Sequence, residues 1–333
     1  MQQEAKNTPL LVIGSGPAGL SIANGCSGAG VDVTLVSPDC DAPWAPQYAA
    51  WVDELAPLEL VDCLKHAWPG VRVWMDDASD RVLTRAYGVF DNERLAERLR
   101  STSANVQWCN TRVTDCSHQG DKVHVTCANG QTFLAELVVD ASGGLDSIAK
   151  APNPPTAFQT AYGVLARVRG VEHSDVVTLM DYRDPFQGRH PLPGDIPSFL
   201  YAIPWPDGRW FFEETVLVAR PAVDLAALQK RLEARLAQAG VEIVSVDEVE
   251  HCVIPMDVRL PDTIDRIIPY GSCAGMVHPA TGYSVVESLR RAPTLVHAIV
   301  NYLQNNPATT KDISDALWSK QARQRHALYQ FGA

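Results

Sequence analysis

The sequence predicts an α/β fold in which a nucleotide-type βαβ domain carries an antiparallel β lobe. Three observations predict it. The apolar run Leu10-Leu11-Val12-Ile13 leads into Gly14-Ser15-Gly16-Pro17-Ala18-Gly19, then a helical stretch to Gly30 and a second apolar run, Val31 to Ser37. A second strand-into-glycine turn follows at Leu137-Val138-Val139-Asp140-Ala141-Ser142-Gly143-Gly144. Between about residues 151 and 255 the pattern changes to strand-like runs with one amphipathic helix.

The glycines of the first turn have separate tasks. Gly14 allows the tight turn, Gly16 lets a pyrophosphate approach the backbone, and Gly19 lets the helix pack closely on the strand. Pro17 and Ala18 open that helix, whose N-terminus offers N–H groups and a positive dipole end to phosphates. In this strand–turn–helix setting the pattern predicts a dinucleotide site in a Rossmann-like domain. An acidic residue is expected to close the second strand and hold the adenosine ribose. Here the strand ends Ser37-Pro38-Asp39. Either Asp39 holds the ribose from two positions late, Ser37 does so weakly, or Pro38 and Asp39 form a turn.

The remaining elements follow in order. Residues 42–55, with two prolines and three aromatics, predict an ordered loop leading into a helical stretch. Val71 to Met75 and Arg81 to Ala86 read as strands. Asp91 caps a helix over Asn92 to Arg100, with Leu95 and Leu99 on one face. Val106 to Cys109, Thr111 to Asp115, Val123 to Cys127 and Gln131 to Leu134 read as strands with turns such as Asn129-Gly130. In the lobe, strands are expected at Phe158 to Val168, Val176 to Met180, Phe199 to Pro204, Trp210 to Val218, Val241 to Val249 and His251 to Ile254. A helix is expected over Asp224 to Ala239, with Leu225, Leu228, Leu232 and Leu236 on one side. Arg266 to Gly271 offers a last strand, Ser272 to Gly282 a loop of small residues, Tyr283 to Leu303 an apolar helix, and Ile313 to Gln330 a polar one. The expected organisation is residues 1–150 as the first part of the nucleotide domain, 151–260 as a substrate-binding β lobe, and 261–333 as a return to the nucleotide domain with C-terminal helices.

Composition narrows the function. The 333 residues are 46% hydrophobic and 20% charged, with a formal net charge of -11. No stripe of Lys or Arg appears, which argues against nucleic acid and against purely electrostatic membrane binding. No apolar run reaches the ~18 residues of a transmembrane helix. The polar N-terminus predicts no signal peptide. The eight scattered cysteines form no C-x-x-C pair and read as reduced thiols of a cytoplasmic protein, with no metal site.

The order of these motifs (nucleotide strand, second glycine turn, late glycine-rich helix start) is that of FAD proteins. There the late helix points its N-terminus at the pyrimidine end of the flavin and stabilises negative charge on a reduced ring. The candidate segment is Gly275-Met276-Val277-His278-Pro279-Ala280-Thr281-Gly282-Tyr283, with the backbone N–H groups of Thr281, Gly282 and Tyr283 expected to face the ring. Candidate flavin-binding residues are therefore Gly14, Gly16, Pro17, Ala18, Gly19, Asp39, Asp140, Gly143, Gly271, Gly275, Met276, Thr281, Gly282 and Tyr283. An ordinary capped helix is the other reading of the late segment.

Several segments then identify a family. Trp51-Val52-Asp53-Glu54, Met180-Asp181-Tyr182-Arg183-Asp184, Phe199-Leu200-Tyr201-Ala202-Ile203-Pro204, Phe211-Phe212-Glu213-Glu214-Thr215, Glu250-His251-Cys252-Val253-Ile254-Pro255-Met256 and Ala274 to Tyr283 resemble lycopene cyclases of the plant and cyanobacterial type, in order and over nearly the whole chain. The resemblance implies a fold like that of aromatic hydroxylases and geranylgeranyl reductases. It implies an intramolecular lyase or isomerase reaction, the closure of lycopene ends to β- or ε-rings without net redox change. It also implies reduced FAD that is required but not consumed, with NAD(P)H as reductant, and a hydrophobic carotenoid or terpenoid substrate. Peripheral membrane contact is left open.

The residues suit such chemistry, which begins by protonating an alkene and ends by removing a proton from a carbocation. Glu213 and Glu214 lie side by side on a strand-like run and would point to opposite faces. The family motif resembles Phe-Leu-Glu-Glu-Thr, and its first carboxylate, the favoured proton donor, falls on Glu213, with Glu214 second. A buried carboxyl has a raised pKa and holds its proton at neutral pH. The other reading is a Glu pair bridged to Arg183 or Arg220. His278 is a secondary catalytic candidate, and Asp181, Arg183 and Asp184 form either an ion network shaping a pocket or a solvated turn.

The sequence also departs from the family. Pro255-Met256-Asp257-Val258-Arg259-Leu260-Pro261 stands for Pro-Met-Gly-Gly-Pro-Leu-Pro, Pro46-Gln47-Tyr48-Ala49 for Asn-Asn-Tyr-Gly, and Gly271-Ser272 for the Gly-Asp of aromatic hydroxylases. The chain stops at Ala333, where the family enters a further apolar helical region. That leaves a shortened cyclase or a smaller, more soluble substrate. The alternatives carried forward are an FAD monooxygenase or reductase on a small terpenoid-like molecule, and a non-catalytic flavin or carotenoid carrier.

Overall fold

The computed structural model describes residues 4–75, 79–101, 105–145, 147–148, 157–172, 174–184, 186, 192, 195–258, 260–261, 265–279, 281–304 and 308–332. The chain divides into two compact units: unit 1 is Met1–Trp44, Asn92–Pro155 and Asp257–Ala333, and unit 2 is Ala45–Asp91 and Thr156–Met256. Segment 45–91, read from the sequence as part of the first domain, is grouped with the later lobe. Tertiary pairing decides this: Val71–Trp74 runs parallel to Val177–Asp181, and the indole N–H of Trp68 donates to the Pro204 carbonyl at 2.9 Å.

Unit 1 is built on a seven-stranded sheet. Its order is Val106–Asn110, Val33–Ser37, Lys6–Ile13, Thr132–Asp140, Lys122–Cys127 and Val113–Gln119, with Ile267–Pro269 also paired to Thr132–Asp140. The strands around Lys6–Ile13 are parallel, whereas Lys122–Cys127 is antiparallel to both of its neighbours. The apolar run at residues 10–13 is continuous because both faces are covered. Leu10 and Val12 join a core with Leu20, Leu295 and Ile299, while Leu11 and Ile13 join one with Val36, Val125 and Phe133. Helices Pro17–Gly28, Val285–Leu303 and Thr310–Leu317 contribute to the first of these cores.

The expected polar helix over 313–330 is two helices, Thr310–Leu317 and Lys320–Gly332. Trp318, buried at the break, leaves helical geometry, and the Arg291 guanidinium caps the Leu317 carbonyl at 2.8 Å. The long helix begins at Val285, two residues later than expected.

Unit 2 holds a second seven-stranded sheet, ordered Glu242–Pro255, Phe158–Arg169, Arg209–Ala219, Phe199–Pro204, Val177–Asp181, Val71–Trp74 and Asp80–Leu83. All pairs are antiparallel except the one between Val177–Asp181 and Val71–Trp74. The two strands expected between residues 241 and 254 are one, Glu242–Pro255, held along its length by Phe158–Arg169. Asp224 caps helix Leu225–Gln238 through the Ala226 N–H at 3.2 Å, and Leu228, Leu232 and Leu236 lay that helix on Tyr162, Val164 and Phe212. A three-stranded sheet, Ala49–Trp51, Tyr87–Phe90 and Leu64–Trp68, completes the unit.

Candidate active site

In unit 1 the glycine turn is locked by contact. Gly14 has φ of +99°, and a Cβ there would lie 2.5 Å from the Ala141 carbonyl oxygen. A Cβ on Gly19 would lie 2.0 Å from the Gly14 oxygen. Both positions therefore exclude a side chain. Around Gly16 the reverse holds: a Cβ would meet nothing within 4 Å, and Pro17 starts the helix beside it. Open backbone at a helix N-terminus is the geometry a phosphate needs, so the residues present fit a dinucleotide. Ser15 donates to Ser37 Oγ at 3.0 Å and to the Asp39 carbonyl at 3.3 Å. The exposed Asp39 carboxylate accepts the Asp41 N–H at 3.0 Å, closing its own turn at the strand end.

Asp140 is fully buried. Its carboxylate accepts Ser142 Oγ at 2.6 Å, Ser147 Oγ at 2.9 Å and the Ile148 N–H at 2.8 Å. Its carboxylate thus organises the Gly143 turn from within the protein. Gly143 has φ of +98° with open space where a Cβ would be, and its carbonyl accepts the Cys273 thiol at 3.1 Å.

The late segment is tightly folded. Gly271, Gly275 and Gly282 all have positive φ, and Gly271 opens the short helical turn Gly271–Ala274 against Ala18. Met276 is buried and donates its N–H to the Gly271 carbonyl at 3.1 Å. One expectation is corrected here. The N–H groups of Thr281 and Gly282 donate back to the His278 carbonyl, at 3.1 and 2.8 Å, and that of Tyr283 to Thr281 Oγ1 at 3.4 Å. The turn uses these donors itself, because the chain reverses before the helix begins. Ala280 and Arg259 lie outside the described residues.

In unit 2, neighbouring strands set the site. Gly163 pairs with Glu213 on one side and Glu250 on the other; Ala161 pairs with Thr215 and Cys252. With the two-residue period of a strand, Glu213, Thr215, Glu250 and Cys252 share one face, joined by Tyr201 opposite Glu213. Aromatic rings surround it. The Phe211 ring would lie 2.7 Å from a Cβ on Gly163, Tyr201 OH meets Tyr87 OH at 3.1 Å, and Tyr87 packs edge-on against Trp51 at 5.2 Å.

Glu214 points to the opposite face, as the strand period requires. It is fully buried and accepts Arg235 at 2.7 and 2.9 Å, Arg231 at 3.2 Å and Ser198 Oγ at 2.5 Å. Its partners are these two arginines of helix Leu225–Gln238, not the expected Arg183 or Arg220. Arg183 instead grips Asp181 at 2.9 and 2.6 Å and stacks on Trp74 at 3.8 Å, so the acidic turn is an ordered ion network. Asp184 joins it through Arg231 at 3.4 Å.

Glu213 has a different surrounding. It is half-buried, and desolvation pushes its carboxyl up to about 7 against one opposing hydrogen bond, from Thr215 Oγ1 at 2.7 Å. Glu250 is pushed up to about 8, first by burial, then by the negative charge of Glu213, while the Gln47 N–H at 3.3 Å pulls the other way. Tyr48, in the same neighbourhood, is raised to about 12 by burial and by Glu250. Glu250 and Tyr48 were not singled out from the sequence. The available signal was an acid in a strand whose register with Gly163 only the sheet reveals. His278 belongs to unit 1 and Glu213 to unit 2, so the three catalytic candidates do not form one cluster within a unit.

Among the described residues no group of His, Cys, Asp and Glu could hold a metal, and no helix is long and apolar enough to cross a membrane. None of the eight cysteines is joined in a disulfide.

Comparison with known proteins agrees with this architecture. A solved structure of a geranylgeranyl bacteriochlorophyll reductase-like protein from Thermoplasma acidophilum matches 97% of this chain and 84% of its own, with a TM-score of 0.73 and 13% identity. A Pseudomonas aeruginosa protein described as a probable FAD-dependent monooxygenase matches 98% of this chain and 93% of its own, with a TM-score of 0.67 and 16% identity. These likenesses show an FAD-protein fold of Rossmann type. In sequence, lycopene beta cyclase of Capsicum annuum is 36% identical over 97% of this chain and 68% of its own length. Neoxanthin synthase of Solanum tuberosum is 34% identical over 97% and 68%. The family model described as lycopene cyclase protein matches residues 9–333. The chain belongs to the lycopene cyclase family.

Proposed function

We propose that this protein is an FAD-dependent enzyme of carotenoid biosynthesis that closes the ends of lycopene, or of a related polyprenyl alkene, without net redox change. The observation that carries the reading is the contrast between the two adjacent glutamates. Glu214 is ion-paired to two arginines at 3.2 and 2.7 Å, whereas Glu213 is half-buried beside aromatic rings with a raised pKa and accepts a hydrogen bond from the Thr215 hydroxyl. A carboxylic acid kept neutral in an apolar site is a proton donor in waiting.

The backbone at Gly14, Gly16, Pro17, Ala18 and Gly19 would hold the pyrophosphate, Asp39 or Ser37 the ribose, and the turns at Gly143 and Gly271–Gly282 the flavin end. When bound in reduced form, the flavin supplies negative charge that favours a nearby carbocation. The chain's own residues do the rest. Glu213 delivers a proton to the terminal alkene, and the faces of Phe211, Tyr201 and Tyr87 favour positive charge over them. The same rings exclude the water that would trap a cation as an alcohol.

Purified protein incubated without oxygen with photoreduced FAD and lycopene should give cyclic-ended product while the flavin stays reduced. Glu213→Gln should lose about a hundredfold or more in kcat. Consumption of NAD(P)H and oxygen with no cyclic product would instead assign a monooxygenase or reductase acting on a smaller terpenoid.

A further inference from the structure

We propose that Glu250 is the proton-holding partner of Glu213: the two carboxyls flank Gly163 on one face of the sheet, share one proton, and Glu250 reprotonates Glu213 between turnovers. The proposal rests on Glu213 as donor and adds a second group to it.

The geometry begins with the middle strand. Gly163 pairs with both glutamates, so they occupy the same level of the sheet on either side of a residue without a side chain. Strands two apart are separated by about 10 Å, a span that two inward-leaning glutamate side chains can bridge directly or through one water. A side chain at 163 would fill that span, since a Cβ there already lies 3.4 Å from the Glu213 Cβ and 2.7 Å from the Phe211 ring.

Glu250 is also held. The Gln47 N–H reaches both of its carboxylate oxygens, at 3.4 and 3.3 Å, from a segment whose Pro46 precedes the donor. The titratable groups that act on Glu250 are Glu213 and Glu248, and those it acts on are Tyr48 and Cys252; all are neutral or negative. Arg231 and Arg235 are engaged on the other face by Glu214, and Arg209 by Asp207 and Asp247. Among the described residues no cation acts on either carboxyl, and two such groups cannot both ionise cheaply, so the pair keeps one proton and titrates as a unit.

This arrangement suits a reaction that takes up one proton and releases one. The Glu213 O–H bond breaks as a C–H bond forms at the alkene. A neighbouring double bond attacks the resulting cation and makes the ring C–C bond. Loss of a proton from the carbon beside the new cation forms the ring double bond. Electrons and protons balance. Glu213 and Glu250 are then both carboxylates; Glu250 takes the proton released from the carbon and passes it to Glu213, which restores the one-proton pair.

The test compares Glu250→Gln, Glu250→Asp and Glu213→Gln in flavin-loaded full-length protein. Glu250→Gln should lower kcat about a hundredfold with little change in KM, and Glu250→Asp should recover about tenfold of that loss. The wild-type pH–rate profile should be bell-shaped, and Glu250→Gln should lack its acid limb. Infrared titration of the carboxyl groups without substrate gives a second readout. In Glu213→Gln the Glu250 midpoint should fall by about one unit or more, because the neighbouring charge is gone. Retention of kcat within about a factor of two by Glu250→Gln, or an unmoved Glu250 midpoint in Glu213→Gln, overturns the proposal. If wild-type protein cyclises nothing, the donor reading fails, and the infrared titration still decides whether the two groups share a proton.

Discussion

Glu213 and Glu214 are chemically identical and adjacent, yet one lies against rings and the other against two guanidinium groups. Only the alternation of a strand separates them. The consequence is measurable as stability. Burial raises the Glu213 pKa above its unfolded value, so its contribution to folding is complete below the ordinary glutamate range and is lost as pH rises through about 7. Glu213→Gln removes that loss. In denaturant titrations the variant should gain on wild type between pH 5 and pH 9, by on the order of 1–3 kcal/mol. A pH-independent difference would mean that Glu213 ionises freely. The resemblance to the family motif puts the expected donor on Glu213. It did not show Glu250, because a residue about forty positions away becomes its neighbour only through pairing with a third strand.

Among the elements, strand Lys6–Ile13 and the helix after it were legible because the signal is local: a buried parallel strand reads as an unbroken apolar run, and the turn demands glycine. Gly14→Val tests that turn. The side chain would meet the Ala141 carbonyl at 2.5 Å in a backbone conformation that β-branched residues avoid. The variant should lose FAD binding by fluorescence titration and should unfold about 2 kcal/mol or more earlier than wild type in denaturant. Less legible were elements set by distant partners. The C-terminal helix breaks at Trp318 because that indole is drawn into the core and Arg291 caps the preceding turn. The N–H groups of Thr281 and Gly282 turn inward because the chain reverses at His278, which helix periodicity does not encode.

For the whole molecule, the expected flavin is testable through the linkage of binding to folding. Flavin that binds only the folded chain should stabilise it by about 2.7 kcal/mol at a hundredfold excess over Kd, and the thermal midpoint should rise with flavin concentration. A midpoint indifferent to FAD, in protein that unfolds cooperatively, would count against the cofactor.

The sequence by itself determined the α/β class, the glycine turn, the position of most strands and the family, since each is written in local periodicity or in contiguous motifs. Tertiary structure alone decided that Ala45–Asp91 packs with the later lobe, that two arginines of one helix claim Glu214, and that Glu250 stands level with Glu213 across Gly163. Those facts depend on strand register and on which face a neighbour covers. Both are properties of pairing between segments far apart in the chain, and no local pattern carries them.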